Sequence, residues 1–236
     1  MRRFRSCGAW MILWLGVCAG AAAEPADRDE LLSSFDRVQE SIRTLSSEFR
    51  ETTRSPLLKD PIVANGRMYL TKPDSIRWEY SDPENMRFVI SNDSYTGYFP
   101  ERNRAETRKI GRWREQLFRF LGLGQASAEL AKFYDIRIED PGPDMAGTHC
   151  MVLAPKKKRV RKRMDEVRFW IDGTTYLPVR VEYHGREDGN ERVIEFENMT
   201  VNPVLAANLY SVELPPGVEV TADFNALSGF GPSKKE

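Results

Sequence analysis

Two histidines, His149 and His184, and three cysteines are the whole stock of imidazole and thiol in 236 residues. Histidine-rich metal sites and most histidine-dependent catalysis therefore have little material to work with. The chain contains no G-x-S-x-G, H-E-x-x-H, P-loop or G-x-G-x-x-G pattern, so nucleophilic, zinc-hydrolytic and nucleotide chemistry each lack their usual framework. Gly122-Leu123-Gly124 is only a helix terminator. The acidic residues are scattered over turns and solvent faces and nominate no general acid–base pair. The sequence thus offers no catalytic residue, no metal ligand set and no cofactor motif, and the expectation is a protein that is not an enzyme.

Two other features carry binding rather than bond chemistry. Residues 156–163 read KKKRVRKR, seven cations in eight positions. Such a run is either a solvated hairpin end or a patch attracted to anionic lipid or an acidic partner surface. The second feature is a set of large apolar side chains at alternating positions: Ile76, Trp78, Tyr80, Phe88, Ile90, Phe169 and Ile171. The period of two places them on one face of a sheet. They form either an ordinary core or, in an incomplete barrel, the wall of an apolar cavity.

The N-terminus bears on where this happens. Arg2, Arg3 and Arg5 precede an uncharged run with an apolar heart at 9–17, which ends in Ala21-Ala22-Ala23. That is the pattern of a cleaved secretory signal peptide over residues 1–23. A retained anchor, or a lipobox at Cys18 with Val17 in an unfavourable position, are the alternatives. Without 1–23 the remainder, 24–236, holds 32 basic and 35 acidic side chains. A uniformly basic nucleic-acid binder is not expected from that balance. Cys150 alone would remain, so no intramolecular disulfide is available and a small buried hydrophobe is its expected role.

The elements that must position these residues follow from periodicity. Leu31, Leu32, Phe35, Val38, Ile42 and Leu45 recur at steps of three and four and predict a helix over 27–46. From Phe49 onward the period is two. Strands are expected at 62–72, 76–80, 86–91, 95–99 and 104–110, joined by Lys72-Pro73-Asp74, Ser81-Asp82-Pro83 and Asn92-Asp93 turns. Helical spacing returns in Trp113, Leu117, Phe118 and Leu121, and again over 127–134, where Ser127 is the expected cap. Leu117, Phe118 and Leu121 would cover the mouth of a cavity. Further strands are expected at 135–139, 147–154, 165–171, 177–184, 191–198 and 210–214. So many short strands linked by turns mean a mainly β (α+β) fold in one domain, an antiparallel barrel or sandwich, with a curved sheet and helices on one side favoured over two stacked sheets.

The ordered set of segments resembles the LolA family of periplasmic outer-membrane lipoprotein carriers. The pieces are the leader LLSSFDRVQESIRTLSSEFRE, the stretch GRMYLTKPDSIRWEYSDPENMRFVISNDSYTGYFPERN, then WIDGTTYLPVRVEY, EFENMTVNP and LPPGVEV. The resemblance implies an open, incomplete antiparallel β-barrel with an N-terminal helix and a helical lid, in a monomeric carrier without cofactor that shelters lipoprotein acyl chains in the half-barrel. It implies an inner-membrane ABC lipoprotein exporter as donor and an outer-membrane acceptor as recipient. By position Lys72 matches the family's lid-latching basic residue and Ile76 a cavity-lining site. The best-known carriers have arginine where Lys72 stands. Lysine lacks the planar fork, so the latch is expected to be looser. A carrier of another lipid and a periplasmic sensor with the same half-barrel are the alternative roles.

Overall fold

The computed structural model describes residues 25–111, 125–186 and 189–222. The expected signal peptide 1–23 and the helix bearing Leu117, Phe118 and Leu121 lie outside them. The chain opens with α1 (Pro25–Ser41) and continues with β1 (Thr44–Arg54), β2 (Ile62–Thr71), β3 (Ser75–Asp82), β4 (Met86–Ser91), β5 (Ser94–Phe99) and β6 (Arg104–Lys109). Then come α2 (Ser127–Ala131), β7 (Tyr134–Glu139), β8 (Thr148–Pro155), the one-turn α3 (Lys158–Arg161), β9 (Met164–Asp172), β10 (Pro178–Gly185), β11 (Glu191–Val201) and β12 (Glu219–Thr221). The strands form one sheet in the order β12-β6-β5-β4-β3-β2-β1-β11-β10-β9-β8-β7. Its edges, β12 and β7, do not pair with each other, so the barrel is open, as expected.

Laid flat, twelve strands would span roughly 50 Å. Yet inward side chains from β1 to β5, from β8 to β11 and from α1 belong to one contiguous apolar core. Only a strongly curled sheet brings Ile90 of β4 and Phe169 of β9 into the same cluster. α1 supplies the filling, with Leu31 and Phe35 buried and Leu32 and Val38 packed at the margin. The outer face is different: it carries cross-strand charge pairs such as Arg137–Glu166 at 3.0 Å and Arg168–Glu139 at 3.5 Å. Burial pushes the Glu166 carboxyl up, but hydrogen bonds and charge from Arg168 and Arg137 outweigh it and hold the group below the usual carboxylate range.

Several sequence expectations shift. The leader helix ends at Ser41, not at 46, because Leu45, Ser47 and Phe49 already alternate inward along β1. Ile42 and Leu45 are buried, but their spacing of three suits a strand entry as well as a helix. No strand forms at 210–214. Pro215 and Pro216 follow this segment and cannot donate to a ladder; Tyr210 instead bonds Thr71 Oγ1 at 2.7 Å. The last strand is β12, which pairs with β6 in parallel, the exception in an otherwise antiparallel sheet. The second helix stops at Ala131, and Tyr134 starts β7. Its N-cap is Ala126, not Ser127. The Asn92-Asp93 turn works without glycine, because asparagine and aspartate tolerate the positive φ values of 49° and 61° that it requires.

Candidate functional site

The period of two does bring the singled-out apolar residues together. Ile76 lies opposite Ile90, and Trp78 opposite Phe88, across the β3–β4 ladder. Phe169 and Ile171 face them from β9. All six are buried, and Tyr80 packs half-buried at the edge of the same cluster. Phe49 joins these rings: it lies 4.6 Å from Trp78 and edge-on to Tyr80 at 5.1 Å. Its position needs a glycine across the ladder. A Cβ on Gly66 would stand 2.6 Å from Phe49 Cζ and 1.9 Å from the Glu79 carbonyl oxygen. The wall thus draws on β1, β3, β4 and β9, and Phe35 of α1 belongs to the same cluster.

Three anchors hold α1 over this face, and sequence reasoning reached one of them. Lys72, at the end of β2, donates from Nζ to the Gln39 carbonyl oxygen at 2.6 Å. Its acceptor lies in the last turn of α1. Burial pulls the Lys72 ammonium below the usual lysine range, and the nearby Glu40 partly offsets this. The second anchor is Asp36 of α1. Its carboxylate accepts the Ser127 amide at 2.5 Å and the Ser127 hydroxyl at 2.7 Å, so it caps α2 from outside that helix. The third is Asn202, just beyond β11. Its Oδ1 accepts the amides of Arg43 and Thr44 at 2.7 and 3.2 Å, and its Nδ2 donates to the Ser41 carbonyl at 3.0 Å. One side chain therefore satisfies both the helix end and the strand start that follows it.

A buried polar group interrupts the apolar face near the end where β1 leaves the sheet. Glu51 accepts from the Tyr80 hydroxyl at 2.8 Å and pairs with Arg192 Nε at 3.2 Å. Burial, and then the Glu51 carboxylate, push the Tyr80 phenol well up. The sequence signal was there: Leu45, Ser47 and Phe49 alternate inward, so the next inward residue had to be Glu51. On the outer face Glu182, His184 and Glu191 converge within 4.8 Å of one another. Arg180 pairs with Glu182, and Arg54 with Glu191 at 3.1 Å. The arginines already neutralise the carboxylates that a cation would need. Cys150 is 1% exposed, and burial pushes its thiol up to about 11, so it is no thiolate nucleophile at neutral pH.

The geometry is that of an apolar face beside a tethered helix. The model of the family described as outer membrane lipoprotein carrier protein LolA matches residues 40–213. An outer-membrane lipoprotein carrier protein of Methylococcus capsulatus is 24% identical over 226 residues, which span 94% of this chain and the whole of that protein. Among solved structures, an uncharacterised conserved protein of Thermus thermophilus superposes with a TM-score of 0.51 at 12% identity, covering 83% of this chain and 98% of that one. A LolA superfamily protein of Nitrosomonas europaea superposes at 0.41 and 10% identity, covering 78% and 97%. With the family model spanning most of the chain, from the end of α1 through β11 and beyond, this protein belongs to the LolA family.

Proposed function

We propose that the inner face of the sheet is the acyl-chain site of a periplasmic lipoprotein carrier, and that α1 is the element exchanged for cargo. The observation that carries this reading is the nature of the cover. Among the described residues a broad aromatic and aliphatic face is covered by helices, α1 on three polar anchors and α2 through Leu130, and not by a second sheet. Magnitudes favour exchange. Lifting Leu31, Phe35 and their half-buried neighbours off the face costs on the order of 5–8 kcal/mol. An acyl chain of about 16 carbons regains roughly 12 kcal/mol at ~0.8 kcal/mol per methylene. The opened face thus holds the chain firmly against release into water, while the returning helix helps to pass it to another apolar site.

In this reading Ile76, Trp78, Tyr80, Phe88, Ile90, Phe169 and Ile171 form the wall, and Leu117, Phe118 and Leu121 belong to the lid. Lys72 latches α1. An inner-membrane ABC exporter loads the monomer, an outer-membrane acceptor unloads it, and residues 1–23 are removed on export. Transfer of cargo between apolar sites makes or breaks no covalent bond and uses no cofactor. Native mass spectrometry of protein recovered from the periplasm tests this. The expected species is the chain from Glu24, partly bound to an acylated lipoprotein or lipid. A chain that carries no acylated mass, and that fails to take up a triacylated lipopeptide after delipidation, would refute it.

A further inference from the structure

The end of the half-barrel where β1 turns into β2 gathers features that the carrier reading does not use. Six large apolar residues are exposed among the described residues, and four of them sit at this end. Leu57 is 93% exposed, Leu58 44% and Ile62 50%, all in or beside the β1–β2 loop. Val160 is exposed at the tip of the β8–β9 connection. The two tips are joined through the β10–β11 turn. Pro56 lies against Gly189, where a Cβ would come within 2.9 Å of its Cγ. The Arg186 amide donates to the Arg163 carbonyl at 2.8 Å. The loops thus form one continuous rim.

Only part of the rim's positive charge is used within the fold. Lys156 reaches Asp135 and the Ala131 carbonyl, and Lys157 lies over the Phe133 ring. Lys158, Arg159, Arg161 and Lys162 are exposed and have no carboxylate partner among the described residues. Like charges crowded into one helical turn repel, so the cluster costs the fold a little and returns nothing within it. It acts on something outside.

We propose that this rim docks the protein on an anionic phospholipid bilayer. Leu57, Leu58 and Ile62 enter the headgroup layer, while Lys158, Arg159, Arg161 and Lys162 pair with the lipid phosphates. A bilayer offers acyl surface to the leucines and phosphate to the cations side by side. An acidic protein would match the cations but offers no acyl layer for the leucines beside them. No helix among the described residues is long and apolar enough to cross a membrane. The docking goes beyond cargo binding and does not depend on a loaded inner face.

Vesicle flotation of the delipidated chain is the test. The vesicles contain phosphatidylethanolamine with phosphatidylglycerol, or phosphatidylcholine alone. Every variant keeps the same N-terminus as the parent, so differences report the rim. Removing all four cations (K158Q, R159Q, R161Q and K162Q together) is expected to weaken binding to anionic vesicles at least about tenfold, since one cation near such a surface is worth about fivefold. High salt should release the parent. L57S with L58S should weaken binding while leaving the salt dependence in place. Equal flotation of the parent and the four-charge variant would overturn the proposal. So would equal flotation on the two vesicle types, or parent bound to an acidic protein column but not to anionic vesicles. Acyl-chain uptake by the four-charge variant should stay unchanged, so failure of the carrier reading and failure of docking are separable.

Discussion

The two ends of the curled sheet are built on opposite principles. At the end where α1 gives way to β1, distant segments are stitched together. Asn202 bonds the backbone of Ser41, Arg43 and Thr44, Thr44 Oγ1 donates to the Pro203 carbonyl at 2.7 Å, and Lys72 is tied through its amide to Arg43 and through Nζ to Gln39. At the other end, leucines and cations project with few partners. The first end uses its polar groups to hold α1, whereas the second leaves its leucines and four of its cations free for outside contact. Stability and binding should therefore respond to substitution at different ends.

The largest effect is expected in the seat of α1, which the stitched end serves. Phe35 is fully buried in the shared core. Phe35→Ala removes most of that contact and leaves a cavity, at a cost of about 3–5 kcal/mol. Urea unfolding should show the midpoint fall with the slope unchanged. A loss below 1 kcal/mol would mean that α1 contributes little to closing the sheet. Next comes Asn202→Ala. It removes acceptors for two amides and a donor for one carbonyl at a solvent-accessible site, where water replaces part of the loss. About 1–2 kcal/mol is expected, with faster hydrogen exchange concentrated at 41–45.

Lys72→Leu should cost less, about 1 kcal/mol, and should loosen the last turn of α1 without unfolding the sheet. Hydrogen exchange across 36–43 reads this directly, and unchanged protection would leave Lys72 a mere turn residue. The pH dependence carries a sign. Burial lowers the Lys72 pKa in the folded chain. Between that lowered value and about 10.4, the unfolded value, the unfolded chain binds more protons. Stability from this site therefore rises with pH across that window. The advantage of the parent over Lys72→Leu should grow as pH is raised towards 10.

The same contrast explains what could be read from the sequence. Strands β2 to β5 and the β10–β11 hairpin were legible, because their residues alternate and their turns carry Pro, Asp, Asn or Gly. The wall was legible for the same reason: Ile76, Trp78, Phe88, Ile90, Phe169 and Ile171 share a face by period alone. The stitching was not. Asn202 and Ser41 are 161 residues apart, and an asparagine after a strand reads as a turn former whatever it later touches. Asp36 looks like any polar residue on the outer stripe of an amphipathic helix until α2 is placed beside it. The rim was half legible. The cation run is plain in one dimension, but Leu57 and Leu58 become its neighbours only when three hairpin tips meet in space.

The smallest expected effect sharpens the comparison most. Leu57→Ser with Leu58→Ser, and the four-charge substitution at Lys158, Arg159, Arg161 and Lys162, should each change folding stability by no more than about 0.5 kcal/mol. Leu57 is almost fully exposed, so serine there removes apolar surface that folding never buried. The four cations have no carboxylate partner among the described residues, and neutralising them relieves repulsion within a single turn, so the change should be zero or slightly stabilising. Thermal melts of both variants should overlay that of the parent. A loss of more than about 1 kcal/mol would show that these side chains hold the rim together, and the two ends would then not differ in kind. Unchanged melts combined with lost vesicle binding would establish that the molecule keeps one end for its own integrity and offers the other to its surroundings.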